Sequence, residues 1–373
     1  MLNNTLYRLT TEKKLRLGFF GGSITDGTGA TDMEKTSYRA VVTDSLRRAY
    51  PDAEITSVNA AIGGTGTGYG MFRCDKDLLS REPELIFIEF SSNDWGDSYE
   101  KVLPRAEVIF RKIRRTLPTA DVVAVFTTYN DIAADIELGH EHEARSAVIT
   151  AAHHYGFATA DPGAALHARI LRSGGVFADY IPDTIHPNDA GHLIMGNCIM
   201  GLLQGWLEEA GKDGRPTGLA ATYGEKESCK LPAPICPDLL DDAGMISVAD
   251  LENLVLNGFT LRETERNGKT VRYLEATQPG DSFSFTLRGR CLGFCWGSAN
   301  INGDVTVKID GGAPMTVKSW DHWVRSFQKF EAALVTTALD PSAPHKVTVT
   351  ANAFTPSEVS PDEVVRIEYI FVC

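Results

Sequence analysis

Three apolar runs near the start of the chain each end in a cluster of small and polar residues, a pattern that few folds accommodate. The runs and the clusters that follow them are LRLGFF (15–20) before GGSIT (21–25), EITSVNAAI (54–62) before GGTG (63–66), and ELIFIEF (84–90) before SSND (91–94). In a parallel sheet covered by helices, the carboxyl ends of the strands lie at one edge, and ligands bind there. We therefore expect Ser23, Gly64 and Asn93 to converge although they are far apart in sequence.

Segments with a helical spacing of apolar residues alternate with the strand-like runs over the first 211 residues. Helices are predicted near 36–50, 71–80, 102–117, 141–155 and 189–209, and further strands at 121–129 and 157–160. Alternation of this kind predicts an α/β domain, in which a parallel sheet carries helices on both faces.

The character of the chain changes after Gly211. Glycine and proline interrupt the segment 212–245, which we interpret as a linker. Beyond it, short strand-like runs separated by turn sequences such as Asn267-Gly268 replace the helices. The sequence therefore predicts an α/β domain at 1–211 and a jelly-roll-like β-sandwich at 246–373.

The chain has 373 residues, more than one hydrophobic core usually organises, which fits two domains. Its formal net charge of −13 disfavours nucleic acids and anionic membrane surfaces, which attract basic proteins. An uncharged polar substrate, such as a neutral sugar ester, fits this charge better. The N-terminal sequence does not resemble a signal peptide, and no apolar run is long enough to span a bilayer.

Seven scattered cysteines, an odd number, indicate reduced thiols, so we expect a cytoplasmic protein. The oligomeric state is left open. Cys291 and Cys295 are four residues apart, but neither a second pair nor a nearby histidine completes a zinc site. The histidines at 140, 142, 153 and 154 fit a polar helix face better than a metal site. We therefore predict neither a metal nor a cofactor.

A nucleophilic serine needs an imidazole that takes its proton and a carboxylate that orients the imidazole. Ser23 lies in a glycine-flanked turn where the first strand is predicted to stop, and His186 follows Asp183 by three residues before the last helix. Donors for an oxyanion are available from the N–H groups of Ser23 and Gly64 and from the side-chain amide of Asn93. These residues form a candidate catalytic set.

Each of these residues also has a simpler interpretation. Ser23 could cap a helix, Gly64 could serve only the backbone conformation, and Asn93 could cap a turn. Thr25 occupies the place of the last glycine in G-x-S-x-G, which argues against the nucleophile elbow of α/β-hydrolases. We favour the catalytic interpretation because all the clusters fall at the same edge of one predicted sheet.

Taken in order, these clusters resemble the four sequence blocks of SGNH (GDSL-type) hydrolases, over about two hundred residues. The resemblance implies a flavodoxin-like sheet and a Ser–His–Asp esterase. It implies that Ser23 is the nucleophile and that Asp183 and His186 complete the triad. It also implies that Ser23, Gly64 and Asn93 donate to the oxyanion.

Two positions depart from the family's pattern. Gly22 replaces the aspartate that usually precedes the serine, and Ser91 replaces the glycine that usually lies two residues before the asparagine. Neither position supplies a catalytic side chain in this scheme, so the mechanism is unaffected, whereas the shape of the acyl pocket is left open.

An α/β domain followed by a β-sandwich also resembles two-domain carbohydrate O-acetyl esterases, some of which act on mannans and carry a carbohydrate-binding-like module at the C-terminus. Trp320, His322 and Trp323 lie in one polar stretch of the second domain. Because aromatic faces pack against sugar rings, we consider them a candidate substrate platform. The alternative is that the tryptophans complete the core of the sandwich.

Three further residues are weaker candidates for substrate binding. Trp95 and Asp97 closely follow Asn93 and are expected to line the pocket rim, unless they belong to a solvated loop. Arg73 could orient the end of the third strand or bind substrate, although an arginine on a helix surface is the more common case.

The sequence therefore predicts a serine esterase that removes acetyl groups from acetylated oligosaccharides of the mannan or xylan type. One alternative is a lipase or thioesterase that acts on longer acyl chains. Another is a non-catalytic carbohydrate-binding protein.

Overall fold

A computed structural model describes residues 2–212, 214, 216–220, 231–266, 269–296, 303–318, 332–352 and 364–373. The chain folds into two compact units, Met1–Leu239 and Leu240–Cys373, each with its own hydrophobic core. Among the described residues, no helix has the length and apolar character needed to cross a bilayer.

The first unit alternates strands and helices, as its apolar pattern predicts. Its strands are β1 (Lys14–Gly21), β2 (Glu54–Asn59), β3 (Leu85–Glu89), β4 (Asp121–Val125) and β5 (Ala158–Ala160). Its α-helices are α1 (Asn3–Tyr7), α2 (Ser23–Asp26), α3 (Tyr38–Ala49), α4 (Thr67–Asp77), α5 (Tyr99–Thr116), α6 (Asn130–Leu138), α7 (Glu143–His154), α8 (Pro162–Ser173) and α9 (Asp189–Gly211). A π-helical turn lies at Arg8–Glu12, and 3₁₀ turns lie at Leu79–Arg81 and Phe177–Asp179.

The five strands form one parallel sheet in the order β2-β1-β3-β4-β5. This is the flavodoxin-like order, which brings the carboxyl ends of β1 and β3 side by side. Every residue of β3 and β4 is buried, because helices cover the faces of a parallel sheet. The predicted fold class of the first domain is confirmed.

Four helices of the first unit, the short α1 and α2 and the longer α6 and α8, were not predicted from the sequence. α8 begins where the side chain of Asp161 accepts the N–H of Ala164, with Pro162 in the first turn. It ends at Gly174, whose φ of 65° lies in the left-handed region. β4 is also shorter than the predicted strand 121–129, because the chain leaves the sheet after Val125 and enters α6 at Asn130.

The second unit is built from antiparallel strands. They are β6 (Gly244–Ser247), β7 (Glu252–Asn257), β8 (Thr260–Arg266), β9 (Lys269–Ala276), β10 (Ser282–Leu287), β11 (Leu292–Trp296), β12 (Val305–Ile309), β13 (Met315–Val317), β14 (Ala332–Thr336), β15 (His345–Ala351) and β16 (Val365–Val372). One sheet has the order β13-β12-β15-β10-β7, and the other has the order β14-β11-β16-β9-β8, with β6 paired to β16.

Burial alternates along β10 and β15, as expected for strands with one face on the core of a sandwich. The predicted β-sandwich is therefore confirmed, although β6, β7, β8 and β14 were not predicted as strands. The described end of the predicted linker, 231–239, belongs to the first unit. There the N–H groups of Ile235 and Cys236 donate to the carboxylate of Glu107 on α5.

Candidate active site

The turn that carries Ser23 follows directly from the end of β1. Gly21 is the last residue of the strand, Gly22 is extended with φ −92° and ψ −155°, and Ser23 begins the single-turn helix α2. A Cβ on Gly21 would collide with the carbonyl oxygen of Glu89, and a Cβ on Gly22 would collide with Oδ1 of Asn93. Both glycines are therefore needed for the end of β3 to approach the turn this closely.

His186 lies far from Ser23 in the sequence, but their side chains are in hydrogen-bond contact. Its Nε2 lies 2.9 Å from the Oγ of Ser23, and its Nδ1 lies 2.6 Å from Oδ2 of Asp183. The other carboxylate oxygen of Asp183 accepts the N–H groups of Ile185 at 3.0 Å and His186 at 2.6 Å. The structure thus brings together the three side chains that the sequence predicts as a triad.

The loop between Asp183 and His186 folds back on itself at Thr184, whose φ of 75° lies in the left-handed region. Partial burial raises the pKa of Asp183, but the hydrogen bonds from His186 and Ile185 outweigh it, and the net pKa lies below the usual value. Asp183 is therefore ionised at neutral pH, as needed to hold Nδ1 of His186 protonated and Nε2 free to accept the hydroxyl proton of Ser23.

The three predicted oxyanion donors lie at adjacent strand ends. The N–H of Ser23 is in the first turn of α2, where no intrahelical carbonyl satisfies it. Gly64 lies in the loop after β2 with φ 72°, a conformation that favours glycine, and its neighbour Gly63 approaches Cβ of Ser23. The exposed side chain of Asn93 lies against Gly22.

Asp94, the residue after Asn93, connects two of these loops. Its buried carboxylate caps α4, where it accepts the N–H of Thr67 at 3.0 and 3.2 Å. Gly66 permits this contact, since a Cβ there would collide with Oδ1 of Asp94. Burial raises the pKa of Asp94 to about 7. The loops of Gly64 and Asn93 are thereby held in one arrangement.

Arg73 does not lie where a substrate could contact it, and this part of the sequence interpretation is wrong. Its side chain is fully buried and donates to the carbonyl oxygens of Ala60 at 2.5 Å and Gly21 at 3.0 Å. It also donates to Oγ1 of Thr65 at 3.3 Å. Arg73 therefore ties the end of β1 to the loop after β2, because backbone carbonyls there need donors that the sheet does not supply.

The residues after Asn93 lie in a half-buried loop. The ring of Trp95 stacks on His142 with centroids 3.8 Å apart and meets Tyr129 edge-on at 5.8 Å. Asp97 forms ion pairs with Arg105 at 2.6 Å and Lys101 at 3.4 Å. Substrate binding by Trp95 or Asp97 stays a prediction.

Trp320, His322 and Trp323, the predicted platform of the second domain, lie outside the described residues. Within the part of the chain that the structure describes, no group of three His, Cys, Asp or Glu side chains is arranged to hold a metal ion.

Sequence reasoning missed a second buried carboxyl group, Glu89, at the end of β3. Its side chain accepts hydrogen bonds from Thr25, Ser92 and Thr127. The signal that could have found it is an acidic residue enclosed by apolar residues in the segment 85–90, where a buried charge needs a reason.

These contacts give the site the parts needed for acyl transfer. A hydroxyl lies within hydrogen-bond reach of a carboxylate-oriented imidazole, and backbone and amide donors from two other strand ends lie nearby.

Comparison with known proteins agrees with the fold. Residues 19–194 match the family model described as the GDSL-like lipase/acylhydrolase family. A crystal structure of a two-domain esterase (CEX) active on acetylated mannans, co-crystallised with mannopentaose, superimposes with a TM-score of 0.80 at 22% identity and covers 99% of this chain and 93% of that chain. A second structure of CEX gives a TM-score of 0.79 at 23% identity, covering 99% and 95%. No curated protein matches the sequence.

Proposed function

We propose that this chain, whose N-terminal unit contains a GDSL-like lipase/acylhydrolase domain, is a serine esterase that removes O-acetyl groups from acetylated oligosaccharides. The observation that carries the proposal is the hydrogen-bonded line from Asp183 through His186 to Ser23, with distances of 2.6 and 2.9 Å. Residues 1–211 would form the catalytic domain and 246–373 an accessory domain of carbohydrate-binding type, connected by a linker at 212–245 whose part 231–239 packs with the first unit.

In the first half of the proposed reaction, Oγ of Ser23 attacks the acetyl carbonyl carbon while Nε2 of His186 takes the hydroxyl proton. The oxyanion that forms accepts hydrogen bonds from the N–H groups of Ser23 and Gly64 and from the amide of Asn93. His186 then gives the proton to the departing sugar oxygen, and the acetyl group stays on Ser23.

In the second half, a water molecule attacks the acetyl–Ser23 ester. His186 again acts as the base, and acetate leaves as the proton returns to Oγ of Ser23. Asp183 stays ionised throughout and stabilises the imidazolium that forms twice in each cycle.

Two observations support an acetylated sugar as the substrate. The structural likeness to CEX, an esterase active on acetylated mannans, extends over 99% of this chain and so includes the second unit. The net charge of −13 disfavours anionic substrates and leaves neutral ones unaffected. Acetylated manno-oligosaccharides are therefore the first substrates to test, and xylo-oligosaccharides are the second.

The test measures acetate release from both classes of oligosaccharide and turnover of aryl esters of increasing acyl length. An acetyl-specific pocket should lose rate steeply beyond two carbons. Ser23→Ala should lower kcat by about 10⁶-fold while the circular dichroism spectrum is unchanged. Preference for long acyl chains would instead identify a lipase or thioesterase, and wild-type turnover by Ser23→Ala would refute a serine mechanism.

A further inference from the structure

We propose that Glu89 is a positioning residue that fixes the turn of Ser23 and the loop of Asn93 relative to each other. The inference rests on the proposed function, because it assigns Glu89 a role in the geometry of that same site. Among the described residues, the side chain of Glu89 is hydrogen-bonded to Thr25, Ser92 and Thr127 and not to Ser23 or His186. It acts through residues that flank the candidate nucleophile and the candidate oxyanion donor.

The carboxylate of Glu89 joins three strand ends. Oε2 accepts the hydroxyl of Thr25 at 3.2 Å, and Thr25 belongs with Ser23 to the single turn of α2. Oε1 accepts the N–H of Ser92 at 3.3 Å, one residue before Asn93. It also accepts the hydroxyl of Thr127, which follows β4, at 3.0 Å.

Two outer hydroxyl groups extend these contacts. Because Thr25 donates to Glu89, the hydroxyl of Tyr38, 2.8 Å away, must donate to Thr25. The hydroxyl of Ser92 is hydrogen-bonded to that of Thr127, so two partners of Glu89 are also joined to each other. The side chain of Glu89 therefore lies at the centre of a hydrogen-bonded network that draws on three strand ends.

Burial of this carboxyl group costs free energy of folding. Glu89 is 1% exposed, and none of the ion pairs among the described residues includes it. Burial raises the pKa of Glu89, and the hydrogen bonds from Ser92, Thr127 and Thr25 oppose that shift without cancelling it. An apolar side chain would fill the end of a buried strand at lower cost. A costly group of this kind beside a candidate site indicates a role other than stability.

The main chain of Glu89 makes its own contacts with the end of β1. The role of the side chain can therefore be tested by itself. β1 and β3 pair in a register that sets Gly21 opposite Glu89, and the N–H of Gly22 donates to the carbonyl oxygen of Glu89 at 3.3 Å. These backbone contacts do not depend on the side chain at position 89. Any change in activity or stability when Glu89 is substituted therefore reflects the loss of its carboxyl group.

The test compares Glu89→Ala and Glu89→Gln with Glu107→Ala. Glu107 is a matched control, since it is also a fully buried glutamate, and its oxygens accept Tyr155, Ile235 and Cys236, none of which belongs to the site. Each variant is assayed for kcat and KM on an aryl acetate, for the rate of labelling by a fluorophosphonate, and for the urea midpoint of unfolding.

We expect Glu89→Ala to lower kcat and the labelling rate by about 100-fold with little change in KM, because misplacement of the reacting groups costs turnover rather than binding. Glu89→Gln should recover most of the activity. Its amide oxygen can accept Ser92 and Thr127 while its NH₂ donates to Thr25, whose hydroxyl and that of Tyr38 can rotate. Glu107→Ala should lower the urea midpoint and leave kcat unchanged.

Unchanged kcat in folded Glu89→Ala would overturn the inference, and so would an equal loss of kcat in Glu107→Ala. If Glu89→Ala fails to fold, Thr25→Val, which removes only one of the three bonds, must lower kcat without raising KM for the inference to stand. A wild-type protein that neither turns over aryl acetates nor reacts with the fluorophosphonate would contradict the proposed function instead.

Discussion

The Nε2 of His186 lies 2.9 Å from the Oγ of Ser23, although 163 residues separate them in the sequence. Asp183, in contrast, reaches His186 within one short loop, and the left-handed conformation of Thr184 allows the carboxylate to fold back. The carboxylate–imidazole half of the candidate triad is thus local, whereas the hydroxyl–imidazole half depends on the packing of the whole first unit.

Asp183→Asn should lower kcat by about 10⁴-fold, because an amide cannot hold Nδ1 of His186 protonated and the imidazole loses the tautomer that accepts the hydroxyl proton of Ser23. The measurement is kcat on an aryl acetate. Asp44→Asn, which removes only a surface ion pair with Arg47, is the control and should retain full activity. Equal activity of the two variants would exclude Asp183 from the mechanism.

Asn93→Ala should lower kcat by about 10²- to 10³-fold with a small effect on KM, since an oxyanion donor acts mainly in the transition state. Loss of stability should be slight because the side chain is exposed. Asn257→Ala in the second unit, where the side-chain amide donates to the hydroxyl of Ser282 on an exposed strand, serves as the control. A rise in KM at constant kcat would show that Asn93 binds substrate and does not stabilise the oxyanion.

Asp94→Asn should flatten the dependence of stability on pH. The carboxyl group of Asp94 has a pKa raised from 3.8 to about 7, so the folded state binds a proton more tightly than the unfolded chain. The wild-type free energy of unfolding should therefore fall as pH rises from about 4 to 7 and then level off, by at most about 4 kcal/mol from this group.

Urea unfolding of the wild type and of Asp94→Asn at pH 5 and pH 7.5 measures this effect. The difference between the two proteins cancels the contributions of other buried carboxyl groups. If both lose stability equally over this range, Asp94 is ionised in the folded state at both pH values and the raised pKa is wrong.

Arg73→Ala should destabilise the first unit by about 3 kcal/mol or more, because it leaves the buried carbonyl groups of Gly21 and Ala60 without their donor. Arg105→Ala removes a half-exposed ion pair with Asp97 and should cost about 1 kcal/mol or less. Urea midpoints of both variants provide the comparison. Full stability of Arg73→Ala with a raised KM would restore the role in substrate binding that its burial contradicts.

The carboxyl ends of β1 and β3 were predictable because each of these apolar runs stops at glycine or serine, whereas β2 and β4 end before their apolar runs do. The order of the sheet, with β1 beside β3, is a tertiary property that no single residue records. Helices α6 and α8 were missed, and the spacing of their apolar residues does not explain it, since α8 is as amphipathic as helices that were predicted. The start of α8 depends on a local cap, Asp161, which a search for periodicity does not detect.

The residues that hold the site could not be assigned in the same way. Nothing in the helical pattern around Arg73 shows that its guanidinium lies among backbone carbonyls, because those carbonyls come from distant segments. Glu89 and Asp94 are likewise single acidic residues whose partners lie on other loops.

The sequence by itself determined the two kinds of fold, the edge of the sheet where small and polar residues collect, and the local pairing of Asp183 with His186. These properties depend on periodicity and on short-range spacing, which the order of residues records directly. Only the tertiary structure decided that Ser23 meets His186, that Arg73 is buried, and that Glu89 joins three strand ends. Those contacts depend on how whole strands and helices pack against each other. This packing is determined by the apolar surface that the entire core buries, and not by any local segment.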